Sequence, residues 1–182
     1  IPGKDIALLP EESLVKQAAA EGLLVTFDKK TNTLLVSGRG EQITLKDIRD
    51  NGGKDYLVEV KPKIWNAKAT IFISNGVTLK LDKNEVTWLK LESNKNGFAL
   101  LRGRNSDIIV SGVKITSWDT ESNDYDKELK DGRSFVMVKD NARMDIYSSE
   151  LSYLGYPTAS DIIVSPFGVS WKLQKQKLKK AL

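Results

Sequence analysis

Residues 69–81 (ATIFISNGVTLKL), 106–118 (SDIIVSGVKITSW) and 142–154 (ARMDIYSSELSYL) repeat one pattern: apolar residues two apart, a small polar corner, then a second alternating run. Aligned on that pattern, Ile71, Ile108 and Met144 are equivalent, as are Ile73, Val110 and Ile146. The corners are Ser74-Asn75-Gly76, Ser111-Gly112 and Ser148-Ser149, and beyond them come Leu79, Ile115 and Leu151. The steps are 37 and 36 residues. A strand–corner–strand unit that recurs at such a period predicts a solenoid, in which each coil buries its apolar edge against the next.

Working outward, strands are expected at 23–27 and 33–37 around a polar turn from Asp28 to Asn32. Residues 43–51 suit a short helix capped by Thr44, with Asp47 at its third position and Gly52-Gly53 at its end. Further strands are expected at 56–60, 69–73, 77–81, 86–91, 98–102, 107–110, 113–116, 134–138, 143–147 and 151–153, separated by Gly, Asn, Asp or Ser. The Asn-Gly pairs at 75–76 and 96–97 are also hairpin signals. Pro10, Glu11, Glu12 and Gly22 bracket a helix near 10–21 whose Leu14, Val15 and Ala18 share a face; it would cover the open end of the solenoid. The expected organisation is an N-terminal cap over 1–55, coils over 56–171, and a Lys-rich tail or the start of a further coil over 172–182. The excess length of the coils sits in loops, chiefly 119–133, and insertions on a solenoid gather on one face.

The net charge of +4 is a local property. Lys172, Lys175, Lys177, Lys179 and Lys180 crowd the last eleven residues, and without them 23 basic groups face 24 acidic ones. That is not the basic, aromatic-laced face of a nucleic-acid binder, so no nucleic-acid partner is expected. No apolar run approaches 18 residues and no basic–apolar leader opens the chain, so neither a transmembrane segment nor a signal peptide is read here. With no cysteine and no histidine, disulfides, thiolate metal sites, the commonest general base and the commonest zinc ligand are absent. No cofactor or metal is expected. Gly38-Arg39-Gly40 and Gly52-Gly53 lack the strand–glycine–helix context of a phosphate loop.

Val86-Thr87-Trp88-Leu89-Lys90-Leu91, Ser117-Trp118-Asp119-Thr120, Gly132-Arg133-Ser134-Phe135, Ser149-Glu150-Leu151-Ser152-Tyr153-Leu154-Gly155-Tyr156 and Phe167-Gly168-Val169-Ser170-Trp171 occur in an order and spacing that resemble the N-terminal coils of the mannuronan C-5-epimerase family. The resemblance spans residues 86–171 and implies an all-β, right-handed parallel β-helix of the carbohydrate-binding and sugar-hydrolase type, with a polyuronate-related substrate. The family's catalytic Asp-Pro-His-Asp motif lies in later coils and has no counterpart here, so the resemblance carries no catalytic residue onto this sequence. It implies the N-terminal portion of a longer protein that is secreted or at the cell surface.

C-5 chemistry on a uronate needs a cation or donor for the carboxylate, a base, and an acid or a departing group. Arg102, Arg104 and Arg133 are candidate carboxylate binders because a guanidinium matches a carboxylate bidentately; Arg102 and Arg104, flanking Gly103, read equally as solvated loop residues. Tyr153 and Tyr156 are candidate acids or bases, and with Trp118 they are candidates for a sugar-stacking platform. Alternatively Trp118 packs inside the coil, in the place that Leu154 takes one repeat later. The candidate substrate-binding set is therefore Trp118, Arg133, Tyr153 and Tyr156. The loop 119–128 spaces Asp119, Glu121, Asn123, Asp124, Asp126 and Glu128 like calcium ligands, but Asp124 and Lys130 stand where Gly and Glu are required, and it reads as a hydrated acidic loop.

The functional expectation is a scaffold and partial sugar groove of an epimerase-like protein, inactive alone. The alternatives are a non-catalytic carbohydrate-binding or cell-surface module, or a structural solenoid for a protein partner. The expected partner is a polysaccharide, with self-association through an open C-terminal edge a further expectation.

Overall fold

The computed structural model describes residues 22–157 and 167–172. The helix expected near 10–21 and nearly all of the Lys-rich tail lie outside these residues. The strands are β1 (Leu24–Asp28), β2 (Thr33–Ser37), β3 (Gln42–Ile43), β4 (Leu57–Lys61), β5 (Ile64–Ala67), β6 (Thr70–Ser74), β7 (Thr78–Asp82), β8 (Trp88–Asn94), β9 (Gly97–Phe98), β10 (Leu101–Arg104), β11 (Asp107–Ser111), β12 (Lys114–Trp118), β13 (Val136–Lys139), β14 (Arg143–Tyr147), β15 (Glu150–Ser152) and β16 (Val169–Lys172). They form three sheets, ordered β1-β2-β6-β10-β13-β16, β3-β7-β11-β14 and β4-β5-β8-β12-β15. Within the coils every pairing between successive turns is parallel. The chain is a parallel β-helix.

Alternation of burial along each strand explains why it closes into coils. In β7, β8 and β11 every second side chain is buried, as strand geometry requires when one face meets a core. The inward positions stack in register: Leu34, Ile71, Leu101 and Val136 on the first face, Ile43, Leu79, Ile108 and Met144 on the second, and Trp65, Leu89, Ile115 and Leu151 on the third. All but the partly buried Leu151 are buried in one continuous core. Each such aliphatic side chain contributes about 1.5–3 kcal/mol through burial.

This register corrects the alignment drawn from the sequence. Ile71 lies beside Leu101, not in line with Ile108, and Leu79 lies beside Ile108, not in line with Ile115. The first step is therefore shorter: the Leu100 N–H donates to Thr70 Oγ1 across 30 residues. The second step is 36, as between Ile108 and Met144 or Ile115 and Leu151, because the 119–133 loop is inserted between β12 and β13. The corner that matches Asn75 (φ 54°) is Asn105 (φ 49°), followed by Asp140 (φ 60°), all left-handed; the Gly76 N–H donates to the Asn105 carbonyl at 2.7 Å. The next edge also turns through left-handed residues in the later coils, at Gly112 (φ 68°) and Ser148 (φ 46°), so small polar residues and Gly mark both edges. A corner of one edge therefore looks in sequence like a corner of the other.

The remaining elements close the first coil. Thr44 caps α1 (Leu45–Ile48) through a reciprocal capping box with Asp47, and its buried Leu45 and Ile48 join the core. The chain continues through a kinked turn over Arg49–Gly53, where Asn51 and Gly52 leave helical geometry. The pairs β1–β2 and β4–β5 are antiparallel. The Asn-Gly signal at 96–97 is a hairpin, β8 with β9, whereas that at 75–76 is a coil corner.

Candidate functional site

The outward row of β8 alternates with its core row and presents Trp88, Lys90, Glu92 and Asn94. Lys114, Thr116 and Trp118 of β12 stand in register with Trp88, Lys90 and Glu92, and Ile64 and Asn66 of β5 with Trp88 and Lys90. Every one of these positions precedes or follows a buried core residue, so the pleat that builds the core also lines up this surface.

Four rings gather there. Trp88 meets Trp118 edge-on, with centroids 5.2 Å apart at 86°. Tyr125, delivered by the 119–133 loop, lies 5.8 Å from Trp88 and 5.6 Å from Trp118. It stacks on Tyr153, 4.3 Å away at 9°. The Trp88 indole N–H donates to Thr116 Oγ1 at 3.0 Å, which fixes its plane. Lys90 Nζ lies 3.2 Å from the Trp118 ring centroid and 4.3 Å from that of Trp88. Burial, with Lys61 adding to it, pulls the Lys90 pKa down. Lys114 Nζ donates to the Tyr125 hydroxyl at 2.9 Å and pairs with Glu150 at 3.2 Å; the bond to Tyr125 is the main cause that raises its pKa.

Between these groups a groove of about 420 Å³ crosses the strands from Val60 and Lys61 to Thr120 and Asn123, and Asn66, Trp88, Lys90 and Trp118 line it. Asn66 is buried, and its Oδ1 has no hydrogen-bond partner. Glu92 follows on the same row; burial is the main cause that raises its pKa, opposed by a hydrogen bond with Asn66.

The sequence-derived candidates separate. Trp118 and Tyr153 belong to the aromatic cluster, and Trp118 points outward, half-buried, rather than into the coil. Arg133 and Tyr156 lie elsewhere. The Arg133 Nε donates to the Gly155 carbonyl at 2.9 Å, and its terminal nitrogens to the Leu154 and Asp126 carbonyls at 3.4 Å. Three of its five N–H donors thus go to backbone carbonyls. Tyr156 packs against Phe98, 5.5 Å between centroids, beside a satellite core of Phe98, Leu100, Phe135 and Met137, and burial raises its pKa. Arg102 and Arg104 are strand residues of β10, not solvated loop residues. Arg102 is buried and its pKa is pushed down to about 10, first by burial and then by Arg104. Arg104 pairs with Asp140 at 2.7 Å.

The acidic loop spends its carboxylates on its own architecture. Asp119 accepts from the Glu121 N–H and the Ser122 hydroxyl, Asp124 pairs with Lys127, and Asp126 accepts from the Ser93 hydroxyl. Among the described residues no group of acidic side chains converges as a metal site, and no helix is long and apolar enough to cross a membrane.

Trp88, Lys90, Lys114 and Tyr125 join this candidate site and are not among the residues expected there from the sequence. Their signal was present, since Trp88 and Lys90 are the outward members of VTWLKL.

No family model matches the chain. A mannuronan C5-epimerase of Pseudomonas fluorescens is 26% identical over 125 residues, which are 68% of this chain and 23% of that protein. In sequence and in fold, this chain resembles the mannuronan C5-epimerases. The crystal structure of the periplasmic alginate epimerase AlgG superposes with a TM-score of 0.66 at 15% identity, covering 89% of this chain and 44% of that one. A variant of AlgG gives 0.66 at 16% identity, covering 92% and 46%. The chain thus spans less than a quarter of the curated relative and less than half of the solved structures.

Proposed function

We propose that this chain is the scaffold and part of the sugar groove of a polysaccharide-active protein of mannuronan-epimerase type, and that polyuronate lies on the outer face of β4-β5-β8-β12-β15. The observation that carries this reading is the groove itself: two indoles and the lysines Lys61 and Lys90 line it, with the Tyr125–Tyr153 stack against the indoles, on a fold shared with an alginate epimerase. Aromatic faces cover the apolar side of a pyranose, and cations oppose a uronate carboxylate. By the same resemblance the chain works outside the cytoplasm.

Catalysis by the chain alone is not expected. The sequence has no histidine, and neither Arg133 nor Tyr156 is among the residues that line the groove. The test is incubation with polymannuronate in deuterated water. Retention on the polymer without deuterium entering C-5 supports the reading. Incorporation of label would overturn the claim of inactivity, and no retention would overturn the sugar-groove assignment.

A further inference from the structure

Resting on that reading, we infer that Lys90 selects carboxylated over neutral polymer by meeting one uronate carboxylate in the groove. Lys90 stands on β8 in the middle of the outward face, with Asn66 and Thr116 level with it on the neighbouring strands. Its ammonium rests against two indole faces. That contact holds the charge in place but satisfies none of the three N–H donors with an acceptor. Among the described residues no carboxylate lies within ion-pair distance of Lys90, in contrast to Lys114, which is engaged by Glu150 and Tyr125. Glu92, two positions along the same strand, is half-buried, and burial raises its pKa.

A second observation points to a ligand at the same place. Asn66 lines the groove in register with Lys90, and its Oδ1 is buried and unpartnered. An acceptor shut away from water without a donor is costly, and a small rotation of the Asn66 amide into the groove relieves that cost when a sugar hydroxyl is there to donate. A uronate unit carries the two complementary groups, a carboxylate for Lys90 and a hydroxyl for Asn66, on one ring that Trp118 borders.

The experiment compares binding of polymannuronate and of the same polymer after reduction of its carboxyl groups, by calorimetry on the 182-residue chain. The wild type should prefer the uronate form, with an affinity that falls as salt rises. Lys90→Met keeps the stem on the indoles and should lose at least tenfold in affinity for polymannuronate while binding the reduced polymer as the wild type does. Lys90→Arg should keep the preference, which guards against a folding defect in the Met variant. Trp118→Ala should weaken both polymers. If Trp118→Ala weakens both but Lys90→Met alters neither, the groove assignment stands and the role of Lys90 falls. If Lys90→Met weakens both equally, Lys90 acts through packing and the inference is wrong. If the wild type binds neither polymer, the groove assignment falls and this inference with it.

Discussion

Tyr125 stacks on Tyr153 with ring centroids 4.3 Å apart and planes 9° from parallel. One ring comes from the long loop after β12 and the other from the corner after β15, so the stack ties an insertion to the coil beneath it. The Tyr125 hydroxyl adds a second tie through Lys114. An insertion that packs its own aromatic residue against the solenoid shapes the groove wall instead of hanging over it.

Tyr125→Ala should therefore loosen the loop and expose Trp88 and Trp118. An aromatic pair is worth about 0.5–1.5 kcal/mol beyond its buried area, and Tyr125 touches three rings, so a loss of about 1–2 kcal/mol is expected in urea unfolding. Indole emission should shift to the red and amide exchange should speed up across 119–131. Tyr125→Phe keeps the stack and should preserve the emission. Unchanged exchange in the Ala variant would show that the loop is held by other contacts.

Arg133→Met should cost stability, not affinity. The side chain closes three carbonyls, at Gly155, Leu154 and Asp126, and acceptors left without donors cost about 1–3 kcal/mol each where water cannot replace them. Unfolding should shift by about 2 kcal/mol or more, while polymannuronate binding by the folded fraction stays as in the wild type. The opposite pattern, normal stability with lost binding, would return Arg133 to the substrate.

How much of this was legible in the sequence follows from what each signal encodes. Period-two alternation showed that residues such as Leu79, Leu81, Ile108 and Val110 face a core, and the solenoid followed. It did not say which of three equivalent faces a dyad belongs to, and so Ile71 was matched to Ile108 when its neighbour is Leu101. Thr44 and Asp47 announced their helix because a capping box is a local reciprocal bond. Arg133 carried no such mark: a guanidinium satisfied by backbone carbonyls and one waiting for a carboxylate have the same sequence. Trp118 was open to either face because its size argues for burial, whereas its parity, odd against Ile115 and Ser117, places it outside with Thr116 and Lys114. Parity along β8 and β12 was the available guide to the groove.

Leu101→Ala tests the corrected register. Leu101 is fully buried between Ile71 and Val136, and truncation of such a residue costs about 2–5 kcal/mol through lost transfer energy and a residual cavity. Urea unfolding should register that loss. Tyr147→Ala, at a residue 57% exposed, should change stability by no more than about 0.5 kcal/mol. In a double-mutant cycle Leu101→Ala should couple to Ile71→Ala by about 0.5–3 kcal/mol; additivity would count against their contact.

Asp126 sets the expected pH response of the loop. The residue is buried at the foot of the insertion, where its carboxylate accepts from the Ser93 hydroxyl and the Glu128 N–H. Burial is the largest influence and raises its pKa, opposed by those hydrogen bonds and helped by Asp131. A folded-state pKa above the unfolded value of about 4 means that the folded state binds the proton more readily. The contribution is thus fully present below pH of about 4 and is lost as pH rises through the raised value. Asp126→Asn keeps an oxygen for the Glu128 N–H and offers an amide to Ser93 Oγ, without a charge to ionise. The stability of the Asn variant relative to the wild type should increase from pH 3.5 upward and level off above the folded pKa, measured by urea unfolding at a series of pH values. Glu92, whose pKa is also raised, is present in both proteins and cancels in the difference. A relative stability that falls over the same range would mean that the hydrogen bonds outweigh burial and that Asp126 is ionised to the benefit of the fold.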